Sequence, residues 1–178
     1  SDREISAKLF QEFLLATGET RRAEMISGDG IALHGVPELD HPARNISWID
    51  AVRFCNWLSE REGFQPVYRF VGAGEDVGWE CDLKADGYRL PTTAEWHNAY
   101  TLEAESEFFW GNLPALAEVY ATYRTEQMEA RGNRLPNSGG LFNLASHVQE
   151  WCEDNYNQDY GPKKIIHNPW TWTTNGIM

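Results

Sequence analysis

The sequence predicts an α+β fold with few helices, short strands and long irregular loops. Three segments begin with a helix cap and continue with apolar residues at helical spacing. One short segment is dominated by β-branched and aromatic residues, and most of the remainder is punctuated by Gly, Pro and Asn. Long loops in a compact domain need a fastener or a functional reason, so the loops are the expected location of a functional site.

The first helix is predicted to begin after Ser6, whose hydroxyl is a good N-cap. Gly18 supplies a stop, because glycine readily adopts the left-handed conformation that ends a helix. The apolar residues that recur at helical spacing between them are Leu9, Phe10, Phe13 and Leu14.

The second helix is predicted to begin after Ser47, with Asp50 in the first turn, where a carboxylate meets the exposed amides. Gly63 ends it. Its predicted apolar face consists of Trp48, Val52, Cys55 and Leu58.

The third helix is predicted by a capping box in which Thr92 is the cap and Glu95 returns a bond to the cap. We therefore interpret Glu95 as a structural carboxylate rather than a catalytic acid. The residues expected on the buried side of this helix are Trp96, Ala99 and Tyr100.

Residues 66–71 predict a short strand closed by Gly72. The polar, glycine-punctuated stretch 18–45 is predicted as loop. From Phe108 onward no period is sustained, which indicates irregular backbone fastened by side chains and ions.

Charge and hydropathy exclude two classes of protein. The 178 residues hold 15 Lys and Arg against 27 Asp and Glu, a net charge of −12. A sequence-independent nucleic-acid binder needs clustered basic residues, so no nucleic-acid partner is expected. No apolar run approaches the ~20 residues of a membrane span. Localisation and oligomeric state stay open, because a removed signal peptide leaves no trace.

Cysteines and tryptophans leave alternatives open. Cys55, Cys81 and Cys152 match no zinc motif, and three cysteines make a poor disulfide framework, although one bridge is possible. We expect isolated thiols that pack as small apolar residues. Trp170 and Trp172 fit either a core or an aromatic binding platform, and the core is the more frequent role of such residues.

Three ordered segments resemble the formylglycine-generating enzyme family, also called sulfatase-modifying factors. They are residues 45–59 with Pro66-Val67-Tyr68, then Gly87-Tyr88-Arg89-Leu90-Pro91-Thr92-Thr93-Ala94-Glu95-Trp96, then Trp110-Gly111-Asn112 with 137–144 and Glu150-Trp151-Cys152-Glu153-Asp154. The resemblance spans residues 4 to 156 and implies one domain over 1–178 with a variant of the C-type lectin fold. Within it, Arg89 is expected to tie loops together through several donors.

The resemblance implies a structural calcium site in the glycine-rich turn. The matching ligands are the side chains of Asn143 and Glu150 and the carbonyls of Ser146 and Val148. Such oxygen ligands suit Ca²⁺ far better than zinc. Ser146 replaces the family's usual Gly, so it fits only if its backbone avoids a glycine-only conformation. Capping of turns by Asn143 and Glu150 is the alternative.

Two neighbouring positions are not assigned to metal. His147 stands in the same turn, and we interpret it as a surface imidazole, since no second His or Cys lies at ligand spacing. Thr122 stands where the family's second calcium site has Asn, so that site is not carried over.

The family's catalytic segment has no counterpart here. Enzymes of the family oxidise a substrate cysteine to formylglycine with O₂ and a copper ion held by two cysteines, which follow an Arg-Gly-Gly-Ser-Trp-like motif. This sequence has neither that motif nor a cysteine after Cys152. Copper is therefore not expected on this chain alone. The family's opening strand is also missing, so the domain is either pared down or an excerpt of a longer protein.

Three functions follow from the resemblance. The first is a non-catalytic module that recognises a protein or peptide on a calcium-stabilised, lectin-like scaffold. The alternative is a sulfatase-modifying oxidase whose catalytic cysteines lie outside this chain. A sulfoxide-synthase-like iron enzyme ranks last, because nothing here supplies the His-rich iron domain that such enzymes need.

Overall fold

The structure is a computed structural model that describes residues 1–23, 40–73, 76–102, 104–122, 129–146 and 148–154. The described chain divides into two units, one from Ser1–Ile46 and Asn98–Glu150, the other from Ser47–His97 and the residues that follow from Trp151. Their elements, in chain order, are helices α1 (Ala7–Ala16) and α2 (Trp48–Glu62), strands β1 (Tyr68–Ala73) and β2 (Asp76–Cys81), helix α3 (Thr93–Thr101), a 3₁₀ turn (Pro114–Leu116) and helix α4 (Ala117–Tyr120).

The predicted helix starts are confirmed by their caps. The Ser6 hydroxyl accepts a hydrogen bond from the Leu9 amide at 3.1 Å, and α1 follows. Ser47 and Asp50 form a reciprocal capping box at the start of α2. That helix ends at Gly63, which has a left-handed φ of 83°. Local chemistry thus fixes where both helices begin.

Helix α3 begins as predicted but does not bury the predicted side. The Glu95 carboxylate accepts from the Thr92 amide at 2.8 Å, and the Thr92 hydroxyl accepts from the Glu95 amide at 3.2 Å. None of the α3 side chains is fully buried. The expected buried set of Trp96, Ala99 and Tyr100 is therefore wrong, and these residues are half-buried. The Tyr100 ring, for example, meets the Phe109 ring edge-on, which covers only part of it.

The predicted strand is half of an antiparallel hairpin. Strand β1 begins at Tyr68 rather than at residue 66 and continues through Gly72 instead of ending there. Strand β2, which sequence reasoning missed, pairs with it from Tyr68↔Cys81 to Ala73↔Asp76. Pairing with a neighbouring strand satisfies the β1 backbone, so Gly72 need not terminate it.

Each unit has its own apolar centre. In the first unit, Phe10, Phe13 and Leu14 of α1 are almost completely buried. In the second unit the buried cluster comprises Val52, Cys55, Val67 and Tyr68, with Trp48, Trp79, Cys81, Ala85 and Leu90 packed against it. Within the described ranges, no helix has both the length and the apolar character needed to cross a bilayer.

Backbone ties hold the N-terminal segment in the first unit. The Phe142 amide donates to the Asp2 carbonyl at 2.8 Å, and the Ala7 amide donates to the His41 carbonyl at 2.8 Å. Residues 24–39 of the predicted loop 18–45 lie outside the described residues. Residues 20–23 are helical, so the loop prediction is wrong there. These ties place Glu4 beside the turn that follows Phe142.

Candidate cation site

The first unit contains two buried oxygen-bearing side chains whose oxygens have no hydrogen-bond partner. Glu4 is 9% exposed and Asn143 is 5% exposed. Among the described residues, no donor makes a well-formed hydrogen bond to either carboxylate oxygen of Glu4 or to the Oδ1 atom of Asn143, although the Asn143 and Ser146 side chains approach the Glu4 carboxylate closely enough to lower its pKa. Buried polar atoms are nearly always hydrogen-bonded, and an unpaired buried carboxylate is especially costly. Such an arrangement is stable when a cation supplies the missing partner.

Two features hold the backbone that carries the Glu4 and Asn143 side chains. The Arg131 guanidinium donates to the Glu4 carbonyl at 2.8 Å and to the Asp40 carboxylate at 3.0 Å. Asn143 has a left-handed φ of 57°, a conformation that asparagine tolerates better than most residues. The side chain of Asn143 is therefore presented by a sharp backbone turn.

The surroundings of the Glu4 carboxyl favour its neutral form over its ionised form. Burial raises the pKa of the Glu4 carboxyl above its usual value, and the negative charge of Glu150 adds to this effect. The polar side chains of Asn143 and Ser146 act in the opposite direction. A divalent cation at this position would reverse the balance, because it favours the ionised carboxylates.

The four calcium ligands that the resemblance predicts all belong to residues 143–150, the segment that begins with the sharp turn at Asn143. Asn143 is buried, Ser146 and Val148 are half-buried, and Glu150 is exposed. Asn143, Ser146 and Glu150 all lie close enough to Glu4 to change its pKa. The Ser146 hydroxyl donates to the Val148 carbonyl at 3.2 Å. Ser146 is not in the left-handed region, so the condition for replacing the family's Gly is met.

The donor set fits a hard cation. Carboxylate, amide and carbonyl oxygens are the ligands that Ca²⁺ takes in proteins. In the part of the chain that the structure describes, no group of three or more His, Cys, Asp or Glu side chains is placed to hold a metal ion, so a cation here would need amide, hydroxyl or carbonyl oxygens besides carboxylates. His147 lies outside the described residues. The residues that would hold the ion are Glu4, Asn143, Ser146, Val148 and Glu150.

Sequence reasoning missed Glu4 as a member of this group. It precedes the Ser6 cap by two residues and is distant in sequence from the turn at 143–150. An acidic residue before a helix carries no local signal for metal binding. The two segments come together through tertiary contacts such as the bond from the Phe142 amide to the Asp2 carbonyl and the Arg3 guanidinium over the Phe142 ring.

Thr122, which stands where the family's second calcium site has Asn, makes contacts with protein groups. It is buried, and its hydroxyl donates to the Glu129 carboxylate at 3.1 Å. The same carboxylate also accepts from Asn133 and Arg134. These bonds and the Arg134 charge lower the pKa of Glu129 against the opposing effect of its burial.

In the second unit, Arg89 uses several donors, as predicted, but it bonds its own loop to helix α3 rather than one loop to another. Its guanidinium donates to both Glu95 oxygens at 2.7 Å and to the Leu90 carbonyl at 3.0 Å. The bond from Arg89 is the main reason that the pKa of Glu95 falls to about 2. Glu95 is thus held ionised in a capping role, which makes it a poor general acid.

A buried carboxylate also lies within the apolar centre of the second unit. The Tyr68 hydroxyl donates to Glu153 and accepts from the Leu90 amide at 2.9 Å. Burial raises the pKa of both Glu153 and Tyr68. The group is an internal tie between strand β1 and the segments 90–91 and 153, since the Glu153 amide also donates to the Pro91 carbonyl at 2.8 Å.

Burial disfavours the thiolate form of two cysteines in this unit. Cys55 is 8% exposed, and burial raises its pKa to about 12. Burial also raises the pKa of Cys81 to about 11. In both cases the nearby Glu153 charge adds to the shift. Reactive cysteines have a lowered pKa, so neither side chain is an activated thiol.

Comparisons with known proteins assign this chain to a family. Residues 1–175 match the sequence profile of the sulfatase-modifying factor enzyme 1-like domain. The chain is 22% identical to the chaperone protein LppX of Paenibacillus barcinonensis over 85% of its own length and 64% of the relative's. It is 26% identical to the formylglycine-generating enzyme of Bos taurus over 72% of the chain and 31% of that enzyme.

Solved structures agree on the fold. Treponema denticola variable protein 1 superposes with a TM-score of 0.67 at 25% identity, over 84% of this chain and 59% of the neighbour. CarF superposes with a TM-score of 0.64 at 27% identity, over 90% of this chain and 69% of the neighbour. The α+β prediction is therefore confirmed. The chain spans less than two thirds of the length of the two curated relatives compared here.

Proposed function

Because this chain belongs to the sulfatase-modifying factor enzyme 1-like domain family, we propose that it is a non-catalytic recognition domain. It binds a protein or peptide on a calcium-stabilised, lectin-like scaffold. One observation carries the proposal. The buried oxygens of Glu4 and Asn143 lie beside the turn to which the family's calcium ligands map, whereas Cys55 is buried, Cys81 is half-buried and the pKa of each thiol is raised.

Calcium has a structural role in this proposal. An ion bound by Glu4, Asn143 and Glu150 would join the N-terminal segment to the turn at 143–150. The ion would supply the charge that the buried oxygens lack, and it would order loops that have little regular secondary structure. Ordered loops lose less conformational entropy when a partner binds, which strengthens binding.

A polypeptide partner is supported by a relative and by the fold. The relative from Paenibacillus barcinonensis is named a chaperone, a class of protein that acts on other polypeptides. Irregular loops on a fixed scaffold are also the usual place for grafted binding sites. Both points favour a protein or peptide ligand over a small substrate.

The second candidate is a copper-dependent oxidase that converts a substrate cysteine to formylglycine. It is favoured by the relatives named formylglycine-generating enzyme, from Bos taurus and other organisms. It requires two accessible thiolates, which Cys55 and Cys81 do not provide. Its cysteines would therefore have to lie outside these 178 residues.

Peptide display on the immobilised chain tests the proposal. A random-peptide library is selected in the presence of CaCl₂, and enriched peptides are measured by fluorescence anisotropy in CaCl₂ and in EGTA. We expect enrichment of a peptide class and at least tenfold weaker binding in EGTA, because the loops lose their fastener. Failure to enrich any peptide under either condition would contradict a recognition role.

A further inference from the structure

The first unit presents a row of exposed apolar side chains beside its last helix. Leu113 is the extended residue before the 3₁₀ turn, and Leu116 and Val119 follow it at intervals of three residues in the turn and in α4. In 3₁₀ and α-helical backbone that interval places successive side chains, here Leu116 and Val119, on one face. All three are exposed, Leu113 by 65%.

A third leucine extends this row to four apolar side chains. The Leu135 amide donates to the Val119 carbonyl at 3.0 Å, so residue 135 lies against the last turn of α4. Leu135 is 50% exposed. We call Leu113, Leu116, Val119 and Leu135 the leucine stripe. Single exposed apolar side chains are ordinary, but a group of three leucines and one valine forms a patch of the kind that marks an interaction surface.

Aromatic packing fixes the opposite side of this element. The Tyr120 ring stacks on Trp110 at a centroid distance of 5.9 Å and meets Phe109 edge-on at 5.7 Å. Ala121, the next residue, is buried. Because Tyr120 anchors α4 on its inner side, the leucine stripe is presented outward on a held element.

The chain segment that carries Leu113, Leu116 and Val119 bears charged side chains of negative sign only. Residues 98–122 contain four glutamates and no Lys or Arg. Glu118 lies within the stripe, and the Glu107 backbone is tied to Asn112, the residue before Leu113. Neither carboxylate forms an ion pair with any described residue.

Arg134, a basic residue beside the stripe among those the structure describes, is already paired with a carboxylate. Arg134 donates to both oxygens of Glu129 and, at 2.6 Å, to the Glu118 carbonyl. Its charge is therefore matched by Glu129. The stripe combines apolar side chains with an uncompensated acidic rim.

We infer that the leucine stripe binds a basic amphipathic segment of a partner polypeptide, with apolar residues on one face and Lys or Arg on the other. This inference rests on the proposed recognition function and names its site and partner class. The partner's apolar residues cover the stripe and provide affinity. Its basic residues meet Glu107 and Glu118, which increases the association rate and fixes orientation.

The test uses three synthetic peptides and matched variants of the whole chain. The probe is an 18-residue amphipathic peptide of leucine and lysine. Its controls are the same peptide with glutamate in place of lysine and a composition-matched peptide with scrambled order. Leu135→Ser removes one member of the stripe. Leu83→Ser is its control, because Leu83 is equally exposed, at 52%, in the second unit.

We expect the leucine–lysine peptide to bind, and the other two peptides to bind at least tenfold more weakly. Leu135→Ser should weaken binding about tenfold, since a half-exposed leucine loses its buried apolar area. Leu83→Ser should have no effect. Glu118→Gln should weaken binding twofold to fivefold at low salt and less at high salt. Glu60→Gln, which removes an exposed carboxylate on α2, should not weaken binding.

Three outcomes would overturn the inference. Equal effects of Leu135→Ser and Leu83→Ser would show nonspecific binding to an acidic protein. Self-association in sedimentation that Leu135→Ser abolishes would assign the stripe to a second copy of the chain. Enrichment of peptides by display, with no effect of Leu135→Ser on their binding, would overturn the stripe while leaving the recognition function intact.

Discussion

The carboxylate of Glu4 is the residue on which the proposed calcium site depends most. It is buried without a well-formed hydrogen bond to any described residue, and its pKa is raised by that burial. Without an ion, the raised pKa means that stability is lost as pH rises from the unfolded value of about 4.5 toward the higher folded value. A bound divalent cation lowers the folded pKa and reverses this dependence.

The substitution Glu4→Gln should therefore change stability in opposite directions with and without calcium. In EGTA at pH 7 it should raise the melting temperature, because it removes a buried unpaired charge. In CaCl₂ at 100 times Kd it should lower the melting temperature, because the wild type gains about 2.7 kcal/mol from the ion and the variant loses a ligand. Calorimetry under both conditions measures the difference.

Glu60→Gln is the control for this experiment, since Glu60 is an exposed carboxylate on α2. It should leave the melting temperature nearly unchanged under both conditions. Glu150→Ala should abolish most of the calcium-dependent shift. If Glu4→Gln shifts the melting temperature in the same direction in calcium and in EGTA, the assignment of Glu4 as a ligand is wrong.

Glu95 has the opposite titration behaviour. Its folded pKa of about 2 lies below the unfolded value of 4.5. Its contribution to stability is therefore complete above pH 4.5 and is lost as pH falls toward 2. Glu95→Gln should cost about 1 kcal/mol at pH 6, since the ion pair with Arg89 is half-exposed and screened.

Urea unfolding at pH 6 and pH 3 checks this prediction. The difference in free energy of unfolding between wild type and Glu95→Gln should shrink at pH 3, where the wild-type residue has lost part of its advantage. A difference that stays constant between the two pH values would mean that the charge of Glu95 contributes nothing and that only its shape matters.

At the scale of elements, what could be predicted depended on how local the signal was. Helices α1 and α2 were predicted with correct starts, because Ser6 and Ser47 act within three residues of themselves. Strand β2 was missed, since its stability comes from pairing with β1 and its sequence is interrupted by Gly78. The buried side of α3 was overestimated because burial depends on distant segments.

The Gly87-Tyr88-Arg89 segment shows a close approach that needs glycine. A Cβ atom at Gly87 would lie 2.3 Å from the Gln65 carbonyl oxygen and 2.5 Å from the Ser59 hydroxyl. The Tyr88 amide also donates to that hydroxyl at 2.8 Å, so α2 and this segment cannot separate without losing a bond. The contact between α2 and the segment 87–89 therefore depends on the absence of a side chain at Gly87.

Gly87→Ala should reduce the free energy of unfolding by about 2–3 kcal/mol, because the added methyl overlaps backbone that cannot move freely. Gly78→Ala in β2 is a matched control, since no atom lies within 4 Å of its added Cβ. It should stay within about 1 kcal/mol of wild type. Denaturant unfolding compares the two, and equal losses would argue against the close contact at Gly87.

For the whole molecule, the pattern of capped helices, a short strand and long loops predicted the α+β fold, and the resemblance in three ordered segments predicted the family; both are confirmed. The four calcium ligands implied by the resemblance stay a prediction, although three of them, Asn143, Ser146 and Glu150, lie close enough to Glu4 to change its pKa. Glu4 itself and the leucine stripe could not be predicted. Both depend on segments that are distant in sequence, such as Val119 and Leu135, coming together.

The central claim is that this domain keeps the family scaffold and recognises a polypeptide without oxidising it. The most direct measurement is mass spectrometry of a cysteine-containing peptide that the domain has selected. The peptide is incubated with the full reading frame that contains these residues, copper(I) and O₂. We predict that the cysteine stays unmodified while the peptide remains bound. Catalytic conversion of that cysteine to formylglycine would contradict the claim.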